Sequence, residues 1–134
     1  MRILVVDDDF VCRKKMEVIM LNFGVCDVAR NGEEALSIFR QAYELSAPYD
    51  VIALDILMPD IDGFMVLARI REIENSLDID SNGRVKVIMV TAKSDKETVM
   101  ASIGTGCDDY IIKPVNWKIM FNKLVKLKVL KFAQ

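Results

Sequence analysis

Short apolar runs alternate with longer amphipathic stretches along the whole chain. Ile3–Val6 is continuous apolar sequence between Arg2 and Asp7, which predicts a strand buried on both faces. From Phe10 to Phe23 the apolar positions Val11, Met16, Ile19, Met20 and Phe23 recur at helical spacing around Arg13-Lys14-Lys15. Gly24 then offers a residue that tolerates the positive φ of a helix end. Val25–Ala29 predicts a second strand. Asn31-Gly32 is a turn, and Glu33-Glu34 suit the positive end of a helix running to about Ser46, with Pro48 closing the connection. Val51–Leu54 predicts a third strand ending in Asp55. The loop Leu57–Gly63 leads to a helix from Phe64 to about Ile73. Asn75–Arg84 is polar, contains Ser81-Asn82-Gly83 and reads as a loop. Val85–Val90 predicts a fourth strand, and Ser94 or Asp95 caps a weak helix to about Ile103. Tyr110–Ile112 is a short fifth strand, and Asn116 caps a last helix to about Lys131.

Strands that alternate with helices imply right-handed crossovers and a parallel sheet covered on both faces, an α/β fold. The 134 residues suit one domain, and 52% hydrophobic content is enough for its core. No apolar run approaches the ~20 residues of a membrane span. Met1 directly precedes the first strand, and no signal peptide is visible.

Charge is segregated. Residues 116–134 carry five lysines (Lys118, Lys123, Lys126, Lys128, Lys131) and no acid, leaving 20 acids against 13 bases in residues 1–115. That balance argues against nucleic-acid binding by this chain. The chain has no histidine, which excludes a Ser-His-Asp or Cys-His system and histidine-ligated zinc. Cys12, Cys26 and Cys107 are odd in number and widely spaced, as expected of reduced thiols in a cytoplasmic protein. The eight methionines read as core filler, except Met58, expected on an exposed loop.

The chemistry gathers at the C-terminal ends of the predicted strands. The first ends in Asp7-Asp8-Asp9, the third in Asp55, the fourth in Thr91-Ala92 and the fifth in Lys113-Pro114. Open α/β sheets form their sites there. Asp9 is the expected cap of the first helix. Asp7, Asp8 and Asp55 together would repel unless a cation intervened, and oxygen-only ligands suit Mg²⁺, Mn²⁺ or Ca²⁺. Lys113 is a point charge for an anionic oxygen and Thr91 a hydroxyl donor. The set suits phosphoryl transfer with Asp55 as nucleophile.

Ile3–Asp9, Ala29-Arg30-Asn31-Gly32-Glu33-Glu34-Ala35-Leu36, Leu54–Gly63, Val90-Thr91-Ala92 and Tyr110-Ile111-Ile112-Lys113-Pro114 occur in an order that resembles the receiver domain of two-component response regulators. The resemblance implies a flavodoxin-like (βα)5 sandwich with strand order 2-1-3-4-5. It implies one receiver filling residues 1–134, with a core of about 2–131 and no output domain among them. Position by position, Asp55 resembles the phosphoacceptor, and Asp8 the direct Mg²⁺ ligand (Mn²⁺ could replace the ion), with Asp7 beside it. The Leu57 backbone carbonyl would be a further ligand. Thr91 resembles the switch hydroxyl, Tyr110 the aromatic switch and Lys113 the phosphoryl-pairing lysine, followed by a cis peptide at Pro114. The function implied is a phosphoacceptor switch rather than an enzyme acting on a separate substrate. Its donor would be the phosphohistidine of a sensor histidine kinase or histidine phosphotransfer protein. Its output would pass through Lys118, Lys123 and their neighbours to a protein target or a separate output domain, in the cytoplasm, from a monomer or a phosphorylation-dependent homodimer. Leu57 and Lys93 flank the expected phosphoryl group and would slow its hydrolysis. The Asn75–Arg84 loop is longer than receivers usually show and reads as a decoration.

Three other readings compete. An aspartyl-nucleophile phosphatase would want a general acid at position 57, which is Leu. A pseudo-receiver would not need Asp8, Asp55, Thr91 and Lys113 together. Flavin binding would want Ser, Thr or Gly donors where the three aspartates stand.

Overall fold

Successive residues of a strand point to opposite faces, so continuous apolar runs need cover on both. The computed structural model describes residues 1–92, 97 and 106–130 and provides that cover. In chain order the elements are β1 (Arg2–Val6), α1 (Phe10–Met20), β2 (Val25–Ala29), α2 (Gly32–Glu44), β3 (Val51–Asp55), α3 (Gly63–Ser76), β4 (Lys86–Thr91), β5 (Asp109–Ile112) and α4 (Trp117–Lys126). The sheet is parallel throughout, in the order β2-β1-β3-β4-β5 expected of the flavodoxin-like fold. The helix expected from Ser94 or Asp95 to Ile103 lies outside the described residues.

Leu4, Val6, Ile52, Leu54, Val87 and Met89 pack on one face beneath Phe39 of α2 and Val66, Leu67 and Ile70 of α3. Ile3, Val5, Val51, Ala53, Ile88 and Val90 face the other way, under Met16 and Met20 of α1 and Met120 and Leu124 of α4. Apart from Ala53, each such side chain contributes about 1.5–3 kcal/mol when fully buried. Met58 is also buried, in the first of these layers, and not exposed as expected. The loop folds its flexible thioether back under α3 instead of presenting it.

Asp9 and Asn116 cap their helices as expected, and Asn31 and Asp62, read as turn and loop residues, cap theirs too, each accepting the backbone N–H three residues on. The C-termini differ. Helix α1 stops at Met20 rather than Phe23, and the Asn22 side-chain amide donates to the carbonyls of Val18 and Ile19. Gly24 has no positive φ. It is small because a Cβ there would collide with the Met1 carbonyl, which accepts the Val25 N–H at 3.0 Å. Helices α2, α3 and α4 end through left-handed residues, Ser46 (φ 57°), Asp78 (φ 57°) and Lys128 (φ 62°). In each, the next residue's N–H reaches back five positions, Ala47 to Ala42, Ile79 to Glu74 and Val129 to Leu124. This Schellman closure ends α4 at Lys126, short of the expected Lys131, and extends α3 past Ile73.

Two polar devices hold the sheet's rim. At the β2 edge, Asp27 accepts the Tyr49 hydroxyl at 2.6 Å and lies 3.6 Å from Arg2, whose guanidinium stands 5.2 Å over the Tyr49 ring. At the N-terminal end of β4, Glu74 is fully buried and accepts the Val85 N–H at 2.7 Å and Arg71 Nη1 at 2.7 Å. Arg71 also donates to the carbonyls of Val85 and Gly106 and to Asp108. This clamp fastens the segment entering β5 and the far end of the long loop, which starts at Leu77 and not at Asn75 because α3 takes in Asn75 and Ser76.

Candidate metal and phosphoryl site

Parallel register delivers the site. Val6 pairs with Leu54 and Asp55 with Val90, so Asp7 and Asp8 follow β1 directly beside Asp55 on β3. One carboxylate oxygen from each of Asp7, Asp8 and Asp55 lies within 4.8 Å of the others, a group able to hold a cation. Thr91 is buried at the end of β4, and its carbonyl accepts the Lys113 N–H at 2.7 Å. The Lys113–Pro114 peptide is cis. Lys113 Nζ reaches back to Asp7 Oδ2 at 3.1 Å and to Asp55 Oδ1 at 3.8 Å.

These contacts tune one another. Burial, then the charges of Asp7 and Asp8, push the Asp55 pKa up to about 7, against the opposing pull of Lys113 and the Leu57 N–H. Burial would lower the Lys113 pKa, but Asp55 and Asp7 outweigh it and hold the ammonium above its ordinary range. Asp55 without a cation is therefore substantially protonated near neutral pH. A divalent ion among the three carboxylates would favour the ionised form. The donor set, all oxygen and clustered, fits Mg²⁺.

Gly63 sets the far wall. A Cβ there would stand 2.5 Å from the Asp55 carbonyl oxygen and 2.9 Å from Ile56 Cα, so only glycine lets α3 begin against the strand carrying Asp55. Asp9 caps α1 through the Cys12 N–H, as expected. Leu57 is 55% exposed beside Asp55, and no acid stands in its place. Lys93, the other position expected to flank the phosphoryl group, lies outside the described residues.

Tyr110 is half-buried on β5, packed against the layer under α2 and α3. Lys123 Nζ stands 5.4 Å over its ring and bonds Asp109 Oδ1 at 2.9 Å, with Lys126 3.4 Å from the same carboxylate. Lys123 is thus ion-paired to Asp109 and partly exposed, while Lys118 is exposed. Two contributors escaped the sequence reading. Asp109 is buried, yet its pKa is lowered, because Lys123 and the Tyr110 N–H outweigh the burial. Arg13 donates Nη1 to the Asp7 carbonyl at 3.0 Å and lies 5.5 Å over the Phe10 ring, bracing the turn that carries Asp7 and Asp8. Its only sequence signal was a cation one turn into α1.

A sequence profile of the response regulator receiver domain matches residues 3–125. The chain belongs to the response regulator receiver family. This receiver is 37% identical over 118 residues to the probable transcriptional regulator ycf27 of Guillardia theta, covering 87% of this chain and 41% of that protein. It is 31% identical over 137 residues to hybrid signal transduction histidine kinase I of Dictyostelium discoideum, covering 99% of this chain and 7% of that protein. It therefore spans less than half of these relatives. Among solved structures, it superposes on a chain of the CheX-CheY-BeF3-Mg²⁺ complex from Borrelia burgdorferi with TM-score 0.80 and 26% identity. That match covers 96% of this chain and 89% of the other. Among the described residues, no helix of the receiver is long and apolar enough to cross a membrane.

Proposed function

We propose that this receiver accepts a phosphoryl group on Asp55 in a Mg²⁺-dependent reaction and thereby switches a signalling partner. The observation that carries the reading is the convergence of Asp7, Asp8 and Asp55 within 4.8 Å, with Lys113 bridging Asp7 and Asp55. Asp7, Asp8, Asp55 and the Leu57 carbonyl would hold the ion, which supplies charge neutralisation for the carboxylates and the incoming phosphoryl oxygens.

An Asp55 carboxylate oxygen attacks phosphorus, and the bond to the donor's imidazole nitrogen breaks, giving an aspartyl phosphate and a free histidine on the partner. The donor histidine lies outside these residues, on a sensor histidine kinase or histidine phosphotransfer protein, because these residues contain none. Lys113 moves from Asp7 to pair with a phosphoryl oxygen, and the Thr91 hydroxyl donates to another. Tyr110 turns further inward, which disturbs the Lys123–Asp109 contact beside it and remodels the face of β5 and α4. Output then passes from that face to a protein target or to a domain beyond these residues, from a monomer or a phosphorylation-dependent homodimer. The receiver acts as a signalling protein with no separate substrate. Its three cysteines are not joined by disulfides, which suits the cytoplasm, and burial pushes Cys26 up to about 12, where it stays protonated.

The test is labelling by acetyl phosphate with Mg²⁺, followed by mass spectrometry. Wild type should gain one phosphoryl group, lost with EDTA and in Asp55→Asn. Persistent labelling of the variant removes Asp55 from its role.

A further inference from the structure

The long loop at the other end of the sheet is the feature that receiver chemistry does not use. Two hollows of about 260 and 320 Å³ flank it and share Ser81, Arg84 and Lys86. The first is completed by Arg71 and Asp108 among others, the second by Asp50 and Lys128. The Lys86 N–H donates to the Asp50 carbonyl at 3.0 Å, so this groove lies at the N-terminal ends of the strands, opposite Asp55.

Its charge is out of keeping with an acidic chain. Four cations line it against two carboxylates. Asp50 accepts the Arg2 N–H at 2.8 Å, and Asp108 pairs with Arg71 and Lys86 within the groove, so among the described residues Arg84 and Lys128 are the lining cations with no ion pair. The cations are not all satisfied. Arg84 Nη2 bonds Asn75 at 2.6 Å, but Arg84 Nε is buried with no partner. A buried guanidinium N–H without an acceptor costs stability unless an acceptor is bound there. Lys86 forms a long ion pair with Asp108 at 3.9 Å. Lys128 sits at φ 62°, where glycine would relax the backbone, and it lines the second hollow. Among the described residues, none of the exposed large apolar side chains lines it, so it lacks the anchors of a protein interface.

We infer that this groove is a second anion site, taking a multivalent oxyanion of the phosphate class through Arg84, Lys86, Lys128 and the Ser81 hydroxyl. The planar guanidinium supplies directed donors and the two ammonium groups supply charge. Occupancy would join the long loop to the end of α4.

Titration of ¹⁵N-labelled protein with sodium pyrophosphate, in EDTA and at constant ionic strength, reads this site apart from the metal-dependent one. Saturable amide shifts are expected at Ser81, Asn82, Gly83, Lys86 and Val129. Arg84→Gln, or Lys86→Gln if the first variant does not fold, should weaken binding about tenfold, the scale of one lost charged hydrogen bond. Lys118→Gln, an exposed cation elsewhere, should change nothing. A parallel titration with a nucleoside diphosphate distinguishes a free from an organic phosphate as the preferred source. Shifts that do not saturate, shifts confined to the Asp7–Asp55 pole, or equal weakening by Lys118→Gln would overturn the assignment.

Discussion

Asp55→Asn should stabilise the metal-free protein while abolishing its phosphorylation. Burial and the neighbouring Asp7 and Asp8 charges raise the Asp55 pKa from 3.8 to about 7. The folded state therefore binds this proton more tightly than the unfolded chain. Stability from this group is at its best below pH 4, falls as pH rises between about 4 and 7, and stays low above. Each tenfold change in proton affinity is worth about 1.4 kcal/mol, and partial solvent screening discounts the full sum to about 2–4 kcal/mol at pH 8. Asparagine carries no charge and escapes that cost. Urea unfolding in EDTA at pH 4, 6 and 8 measures the difference, since titrating groups remote from Asp55 cancel between the two proteins. The variant's advantage should be near zero at pH 4 and grow toward pH 8. Mg²⁺ should then recover stability in wild type and less of it in the variant. Equal stability at all three pH values, or a variant weaker at pH 8, would refute the electrostatic account of the site.

Other substitutions probe the frame around the site. Arg71→Met strands the fully buried Glu74 and should cost about 3–5 kcal/mol in chemical denaturation, with much of it restored by adding Glu74→Gln. Ser46→Gly relieves a left-handed serine at the end of α2 and should add about 1 kcal/mol, raising Tm by a few degrees. Gly63→Ala drives a methyl against the Asp55 carbonyl, so calorimetry should show weakened Mg²⁺ binding and a stability loss of about 1–3 kcal/mol.

The strands and the site were legible for a shared reason. A doubly covered parallel sheet writes each strand as an unbroken apolar run, and the residue after that run is the one delivered to the crevice. Asp7, Asp55, Thr91 and Lys113 could thus be placed from sequence order, and the structure brings Asp7, Asp8, Asp55 and Lys113 within contact. The helix ends were not legible, because Ser46, Asp78 and Lys128 do the work usually given to glycine. Gly24, which did suggest a left-handed end, serves a close approach to Met1 instead. Glu74 falls between the expected helix end at Ile73 and the expected loop from Asn75, and nothing in the sequence marks it as buried. Its burial depends on Arg71 one turn away and on Val85 beyond a long loop, a pairing that no local pattern encodes.

The Asp27–Tyr49–Arg2 lock on β2 bears on how these molecules behave in a crowd. A strand at the rim of a sheet is a ready template for another chain, and proteins commonly blunt it with charge. Here a second strand laid along β2 would displace the Tyr49 hydroxyl and the Arg2 guanidinium from Asp27, or carry that cluster out of water with it. Asp27→Val should therefore raise light scattering at high concentration while leaving the fold's circular dichroism unchanged. The charged cluster thus opposes edge-to-edge pairing along β2, so an open strand need not be a sticky one.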